Sequence, residues 1–282
     1  MIRLTTLCEN TTENTDLSAE FGWSVLVETD EITVLFDTGL EQTVCRNAHR
    51  LGMDLRKIDR IVLSHGHPDH TGGLREVLNY IGKEIKVYAH PDVWASRHKQ
   101  VSGKEYFLGI PFRREELEKA GADFFLSRDP VYLAEGIFTT GEIPMITNFE
   151  DIQSSLPEDT TWWIKRGELE EKDEILDDQA LVIKSQYGLI ILLGCAHRGI
   201  INTIYHVQKI SGEGKIHTVL GGAHLLFAGP ERLNKTIKAL QELDIKHIGL
   251  CHCTGLPAGA MLSQEFRDRF FFNTVGNQVV IL

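Results

Sequence analysis

The chain has 282 residues, of which 42% are hydrophobic and 24% are charged, and its formal net charge at neutral pH is −11. This length and composition are those of a globular protein with a large core, in one large domain or two small ones. The excess of negative charge argues against long nucleic acid and against anionic membrane surfaces as partners.

The location of the protein is predicted from three features. The residues Met1–Leu4 lack the charged and then apolar pattern of a signal peptide, and the most apolar run, Gly188–Ala196, is too short to span a bilayer. The odd number of scattered cysteines does not indicate a disulfide framework. They are Cys8, Cys45, Cys195, Cys251 and Cys253. Together these features predict a cytoplasmic protein.

The first 90 residues are predicted to form short strands and two helices. Phe21–Glu28 and Ile32–Phe36 are rich in β-forming residues and flank a turn, which predicts a hairpin. The elements predicted next are a helix at Thr43–Leu51, a buried strand at Ile61–Leu63, a helix from about Gly73 and a strand at Val87–Ala89.

Two segments lack a strong strand pattern and are predicted to be helical or loop insertions in a single domain that spans residues 1–282. The first lies near 96–130, includes a charged helix around Arg114–Lys119, and is interpreted as a helical insertion or lid. The second lies near 149–173, is polar, and holds the neighbouring Trp162 and Trp163. These tryptophans either anchor a loop to the core or form a wall beside a flat substrate.

The second half of the chain alternates strands with helices. Strands are predicted at Leu181–Lys184, Leu189–Leu193, His217–Leu220, His247–Leu250 and Gln278–Leu282, and helices at Ile201–Ile210, Glu231–Leu243 and Gly259–Arg269. Hairpins that are followed by alternating strands and helices predict an α/β fold with mixed sheets covered by helices.

The densest group of chemically active side chains is Ser64–His70, with the sequence SHGHPDH, directly after a predicted buried strand. Imidazole and carboxylate groups are ligands for zinc, iron and manganese. Because alternate residues of an extended segment point the same way, His65 and His67 can share one ion. The chain then turns and can offer Asp69 and His70 to a neighbouring ion. The alternative interpretation is a solvated polar turn that happens to be rich in histidine.

Three further histidines, His197, His224 and His252, recur where predicted buried strands end. This is the usual position of catalytic residues in layered α/β folds. A single histidine of this kind is more often a core residue, but three in succession favour metal ligands. Cys251 and Cys253, which flank His252, are interpreted as small buried thiols rather than ligands.

Residues 65–70 match the His-x-His-x-Asp-His signature, and the positions of Asp37, His197 and His252 extend the pattern along nearly the whole chain. The sequence therefore resembles the metallo-β-lactamase-fold superfamily. The resemblance implies a four-layer αβ/βα sandwich of two mixed β-sheets flanked by helices, and two divalent metal ions, with zinc favoured over iron or manganese. It implies a ligand set of His65, His67 and His197 for the first ion and Asp69, His70 and His252 for the second. It also implies that Asp37 orients a ligand histidine.

The sequence departs from the family pattern at one position. Many members place a bridging aspartate between the third and the last histidine motif, but here that region holds Gly222–His224 and no aspartate before Asp244. His224 is therefore predicted to bind metal or to contact the substrate, and the remaining alternative is a structural role. Together with Asp69, it is a candidate catalytic residue.

The motifs around Cys195, His224 and Cys251–Gly255 are similar to those of the dihydropterin–ribofuranosylaminobenzene-phosphate synthase-like proteins. Membership of the superfamily implies a metal-dependent hydrolase that acts on a small phosphorylated or acyl substrate through a metal-bound hydroxide. The similarity to this subgroup implies an alternative, a transferase that joins a pterin diphosphate to an aryl ribosyl phosphate. A small anionic substrate is compatible with the negative chain because bound metal ions would dominate the local field.

Two other functions are less consistent with these residues. Diiron redox members of the superfamily carry glutamate at the second signature histidine, where this chain has His67. A metal-binding protein without activity would not need the full ligand set. The sequence indicates neither the substrate nor the oligomeric state.

Overall fold

The computed structural model describes residues 1–153, 156–157 and 159–282, which divide into two compact units. The first unit consists of Met1–Trp94, Ile110–Ser127 and Asn273–Leu282, and the second of Ala95–Gly109 and Arg128–Phe272. The prediction of one domain over residues 1–282 stays a prediction. The insertion predicted near 149–173 includes residues 154, 155 and 158, which lie outside the described residues.

The first unit contains a mixed seven-stranded sheet in the order β18-β1-β2-β3-β4-β5-β8. Its strands, numbered along the chain, are β1 (Ile2–Cys8), β2 (Ser24–Thr29), β3 (Thr33–Phe36), β4 (Arg60–Val62), β5 (Ile85–Ala89), β8 (Ala122–Leu126) and β18 (Gln278–Ile281). The strands from β18 to β3 pair antiparallel, and those from β3 to β8 pair parallel. The predicted hairpin is the pair β2 and β3.

Four helices belong to the first unit. They are α1 (Thr43–Arg50), α2 (Pro68–Thr71), α3 (Leu74–Ile81) and α4 (Arg114–Lys119). The apolar stripes of α1 and α3 join the strands in one hydrophobic core, because residues at helical spacing such as Val44 with Ala48 and Val77 with Ile81 are buried together. Helix α3 ends at Gly82 in the left-handed conformation, with φ of 66°.

The second unit contains another mixed seven-stranded sheet, in the order β17-β16-β15-β14-β13-β10-β9. Its strands are β9 (Val131–Ala134), β10 (Ile137–Thr139), β13 (Leu181–Ser185), β14 (Gly188–Leu193), β15 (Ile216–Gly222), β16 (Ile245–Cys251) and β17 (Phe270–Phe272), and its helices are α5 (Ile200–Ser211), α6 (Pro230–Glu242) and α7 (Leu256–Phe266). Every residue of β14 and β15 is buried, as is expected for the central parallel strands of a sheet with both faces covered. The α/β class with two mixed sheets, predicted from the sequence, is confirmed.

A smaller antiparallel sheet corrects the prediction of helical or loop insertions. The segments β6 (Ser96–Val101), β7 (Lys104–Phe107), β11 (Thr160–Arg166) and β12 (Leu169–Lys172) pair in the order β12-β11-β6-β7. The prediction was wrong at these strands, and in the first insertion only α4 is helical as expected. All four residues of β7 and of β12 are exposed, so these strands lack the apolar alternation that identifies a half-buried strand.

In the described part of the chain, no helix is both long and apolar enough to cross a membrane.

Candidate metal centre

In the first unit, the predicted site residues follow the ends of two neighbouring strands. Asp37 comes directly after β3, and Ser64 and His65 come after β4. Strands β3 and β4 pair in parallel, so their carboxyl ends lie at the same edge of the sheet. This is the edge where open α/β sheets bind ligands. The topology therefore brings together residues that are 27 or more positions apart.

His65 and His67 face each other with their ring nitrogens. The distance from His65 Nε2 to His67 Nδ1 is 3.0 Å, and both side chains are buried. Their rings meet edge to face, with centroids 4.5 Å apart. The extended segment thus places two imidazoles at one point, as the alternation of side chains predicts.

Asp37 holds the signature segment in place through hydrogen bonds to Ser64 and His70. Its carboxylate is fully buried and accepts hydrogen bonds of 2.7 Å from the Ser64 backbone N, from Ser64 Oγ and from His70 Nδ1. The Ser64 hydroxyl also lies 2.8 Å from His65 Nδ1. Since that hydroxyl donates its proton to Asp37, it can only accept one from His65.

These hydrogen bonds assign a tautomer to each of two histidines. A proton on Nδ1 of His65 and of His70 places the lone pair of each ring on Nε2, the nitrogen that would bind a metal ion. His65 Nε2 is the atom that faces His67, and His70 Nε2 lies 3.7 Å from Asp69 Oδ2. Each of these nitrogens therefore lies near another candidate ligand.

Close backbone packing holds the helix that carries Asp69 and His70. A Cβ atom on Gly72 would lie 2.0 Å from the Leu40 carbonyl oxygen, and one on Gly73 would lie 2.1 Å from the Thr38 carbonyl oxygen. Only glycine permits this approach. The two glycines thus fix α2 against the loop that begins at Asp37.

The donor atoms of the first unit fit a divalent metal ion. Two nitrogen ligands of a tetrahedral zinc ion, bonded at about 2.0–2.1 Å, lie roughly 3.3–3.4 Å apart. The His65 and His67 nitrogens, at 3.0 Å, would need to move by only a few tenths of an ångström. The mixture of imidazole and carboxylate groups suits zinc, iron or manganese.

In the second unit, the other predicted histidines also follow strand ends. Strands β14, β15 and β16 are parallel neighbours, and the loops at their carboxyl ends carry His197, His224 and His252 in turn. His197 and His252 are buried, whereas His224 is half-buried. The His197 and His224 ring centroids are 4.3 Å apart, and Cys195 Sγ lies within 4.8 Å of a His252 ring nitrogen.

The Cys253 thiol connects these three loops. It accepts a hydrogen bond from the His224 backbone N at 3.3 Å and donates to the Cys195 carbonyl oxygen at 3.6 Å. Cys251 and Cys253 are both buried, as predicted. Cys253 was predicted only as a small buried thiol, and this positioning contact forms where His252–Thr254 makes a 3-10 turn.

A buried carboxylate, that of Glu150, binds the first turn of α5, the helix that follows the loop of His197. Glu150 accepts hydrogen bonds from the backbone N of Ile201 at 3.0 Å and of Asn202 at 2.8 Å, in the first turn of α5. Burial raises the pKa of Glu150, and these hydrogen bonds oppose the rise. A Cβ on Gly199 would lie 2.2 Å from Glu150 Oε2, so a glycine is required at this position.

Left-handed backbone conformations mark the same loops. Asp37, Ala196, His224 and His252 have φ values of 59°, 49°, 46° and 53°. Such a conformation costs a residue other than glycine of order 1–3 kcal/mol and tends to occur at functional sites. Each of these four residues is a predicted site residue or adjoins one.

The structure thus places every predicted site residue at the carboxyl edge of a sheet. Asp37, His65, His67, Asp69 and His70 lie together in the first unit, and His197, His224 and His252 lie together in the second. The positioning contacts of Ser64 and Cys253 were not predicted from the sequence. Both contribute through contacts that only the folded chain creates.

Comparisons with known proteins agree with this pattern. A model of the metallo-beta-lactamase superfamily matches residues 17–151. The 7,8-dihydropterin-6-methyl-4-(beta-D-ribofuranosyl)-aminobenzene-5'-phosphate synthase of Methanocaldococcus jannaschii is 36% identical over 280 residues, which cover 95% of this chain and 93% of that protein. An uncharacterized protein of the same archaeon is 32% identical over 93% of this chain and 94% of its own length.

Among solved structures, a metal-dependent hydrolase of the beta-lactamase superfamily aligns over 100% of this chain and 99% of its own, with a TM-score of 0.83 and 27% identity. The signature segment, the strand-end histidines and the full-length similarity to the synthase agree with one another. The chain therefore belongs to the metallo-beta-lactamase superfamily.

Proposed function

We propose that the protein is a metal-dependent hydrolase of a small phosphate-bearing molecule. The observation that carries the proposal is the donor set of the first unit, in which the His65 and His67 nitrogens lie 3.0 Å apart and Asp37 fixes His70. Membership of the superfamily, and the match to a solved metal-dependent hydrolase, support hydrolysis as the reaction.

We propose two divalent ions, with zinc as the favoured metal. In the first unit, His65 and His67 would bind one ion, and Asp69 and His70 the other. His197 and His252 are proposed as further metal ligands, as the resemblance to the superfamily implies.

When bound, the ions would supply Lewis-acid polarisation of the substrate and activation of water at neutral pH. The residues of the chain have separate tasks. Asp37 holds the His70 proton on Nδ1 and, through Ser64, the His65 proton on Nδ1. Asp69 accepts a proton or a hydrogen bond beside His70.

His224 is proposed to contact the substrate. Its ring is half-buried and lies 4.3 Å from the His197 ring, and a ring N–H there could donate to a phosphoryl oxygen on which negative charge develops. A small anionic substrate is compatible with the net charge of −11, because bound metal ions would dominate the local field.

The test compares His67→Ala with His49→Ala, which replaces an exposed histidine on α1. Metal content by mass spectrometry and phosphate release from a panel of phosphomonoesters are measured on each protein. We expect His67→Ala to lose at least one ion and to hydrolyse at least about 100-fold more slowly, and His49→Ala to match the parent. Parental turnover in His67→Ala would overturn the proposal.

A second candidate is transfer to an organic acceptor. The observation that favours it is the 36% identity, over 95% of this chain, with a relative named as a synthase. In that reaction, the chain would bind a pterin diphosphate and an aryl ribosyl phosphate. Product analysis with and without the aryl acceptor separates the candidates, because a transferase forms the joined product and releases little free pterin alcohol.

A further inference from the structure

One face of the small sheet in the second unit carries a row of three side chains. Trp162 on β11 pairs directly with Lys99 on β6, and Lys99 pairs with Tyr106 on β7. Residues that pair directly across antiparallel strands project from the same face. Trp162, Lys99 and Tyr106 are called the Trp162 row.

The inner end of the Trp162 row contacts two histidines. The Trp162 ring meets the His197 ring edge to face at 5.3 Å and the His224 ring at 5.6 Å. At the outer end, Tyr106 is 46% exposed. The row therefore extends from the histidines of the second unit toward solvent.

The charge in the middle of the row is available to an anion. The Lys99 ammonium lies 5.8 Å from the centre of the Tyr106 ring, a weak contact at an exposed position. Among the described residues, no carboxylate lies within 4.0 Å of this ammonium. A carboxylate or phosphate group on a bound molecule would provide a stronger partner.

A buried ion-pair network holds this face in place. Arg97 lies on the same face, two residues before Lys99, and is fully buried. Its guanidinium donates to Asp173 at 2.8 Å and to both carboxylate oxygens of Asp177 at 2.8 Å and 2.6 Å. The Asp173 backbone N donates to the Trp162 carbonyl oxygen at 3.2 Å. The backbone at Trp162 is thus held in place before any ligand arrives, which lowers the entropic cost of binding.

The opposite face of the sheet provides a matched comparison. Trp163 points the other way from Trp162. Its ring is stacked on His98 at 4.4 Å with an interplanar angle of 13°, and the Lys165 ammonium lies 4.7 Å from it. Trp163 has these neighbours within its own sheet, whereas Trp162 contacts the loops of His197 and His224.

We propose that the Trp162 row is a subsite for the part of the substrate that does not react. A flat ring packs against Trp162, and an anionic group on the far side of that ring pairs with Lys99 beside Tyr106. The substrate class is an aromatic phosphate with a second anionic group. This inference rests on the proposed function, because it assumes that the reacting phosphate lies at the histidines.

The test measures binding of three non-hydrolysable probes to the zinc-loaded protein by calorimetry. Methylphosphonate carries neither feature, phenylphosphonate adds the ring, and 4-carboxyphenylphosphonate adds the second anion. We expect each addition to tighten binding about 10-fold in the parent. Trp162→Leu should abolish the gain from the ring, and Lys99→Met should abolish the gain from the carboxylate alone.

Trp163→Leu and Lys165→Met are the matched controls and should keep both gains. Circular dichroism checks that each variant is folded, and Lys99→Arg should restore the carboxylate gain if Lys99→Met loses it. Equal losses in the variants of the two faces, or unchanged selectivity in Trp162→Leu, would overturn the subsite. Zinc-dependent phosphate release from a non-aromatic ester tests the proposed function separately, so the two ideas fail independently.

Discussion

Replacing Asp37 with asparagine tests how the signature segment is organised. The carboxylate is fully buried and accepts three hydrogen bonds of 2.7 Å, two from Ser64 and one from His70 Nδ1. An asparagine has the same shape but offers one acceptor oxygen and one amide donor. The amide can satisfy the Ser64 backbone N only by directing its NH₂ group toward His70.

The expected magnitude follows from these contacts. A hydrogen bond to a charged group contributes about 1.5–3 kcal/mol, and at least one of the three is lost, so we expect the metal-free Asp37→Asn protein to be less stable by roughly 2–4 kcal/mol. For a chain of this size, that lowers Tm by roughly 3–7 °C. In addition, an amide that donates to His70 Nδ1 moves the ring proton to Nε2. This blocks the lone pair and should weaken binding of one ion by about 10–100-fold.

The assay titrates metal-free protein with zinc against a chromogenic chelator and records ¹⁵N shifts of the histidine rings. Asp30→Asn is the control, because the Asp30 side chain is 76% exposed. We expect two affinities of which one falls in Asp37→Asn, together with a tautomer change at His70. Parental affinity for both ions, with an unchanged tautomer, would refute the role assigned to Asp37.

Three further predictions concern the support of the second unit. Burial raises the pKa of Glu150 above its ordinary value near 4.5, so the folded state binds the Glu150 proton more tightly than the unfolded state does. The free energy of unfolding of the parent, relative to that of Glu150→Gln, should therefore fall as pH rises from about 4.5. A difference in urea unfolding that does not change with pH would contradict this prediction. Gly199→Ala, whose Cβ would lie 2.2 Å from Glu150 Oε2, should lose more than about 3 kcal/mol or not fold, whereas Gly212→Ala, with open space around it, should lose about 1 kcal/mol; equal losses in thermal melts would show that the clash is relieved. Arg97→Met leaves the buried Asp177 without its bidentate partner and should cost about 3–5 kcal/mol, so an unchanged denaturant midpoint would exclude the network as a stabilising element.

The first-unit site could be predicted because its signal is local. Within six positions after a buried strand lie His65, His67, Asp69 and His70. Their imidazole and carboxylate groups indicate that they are metal ligands. Asp37 was assigned through the resemblance to the superfamily. Ser64 was not, because a serine hydroxyl is common and its function here depends on the geometry of Asp37 behind it.

The small sheet could not be predicted, for a physical reason. Its central strands β6 and β11 carry polar residues on both faces. One of these residues, Arg97, is buried because Asp173 and Asp177 neutralise its charge. A buried arginine appears in the sequence as an ordinary surface charge. Hydrophobic periodicity therefore identified nine of the fourteen strands in the two large sheets and gave no signal for the third sheet.

The pairing of β18 with β1 has a consequence for synthesis of the chain. Ile2 pairs with Ile281, so one edge of β1 has no partner in its sheet until residues 278–281 have left the ribosome. Until then, the free N–H and C=O groups of that edge can pair with another nascent chain. Removing Gln278–Ile281 would leave this edge of β1 open permanently and would make it a site of aggregation.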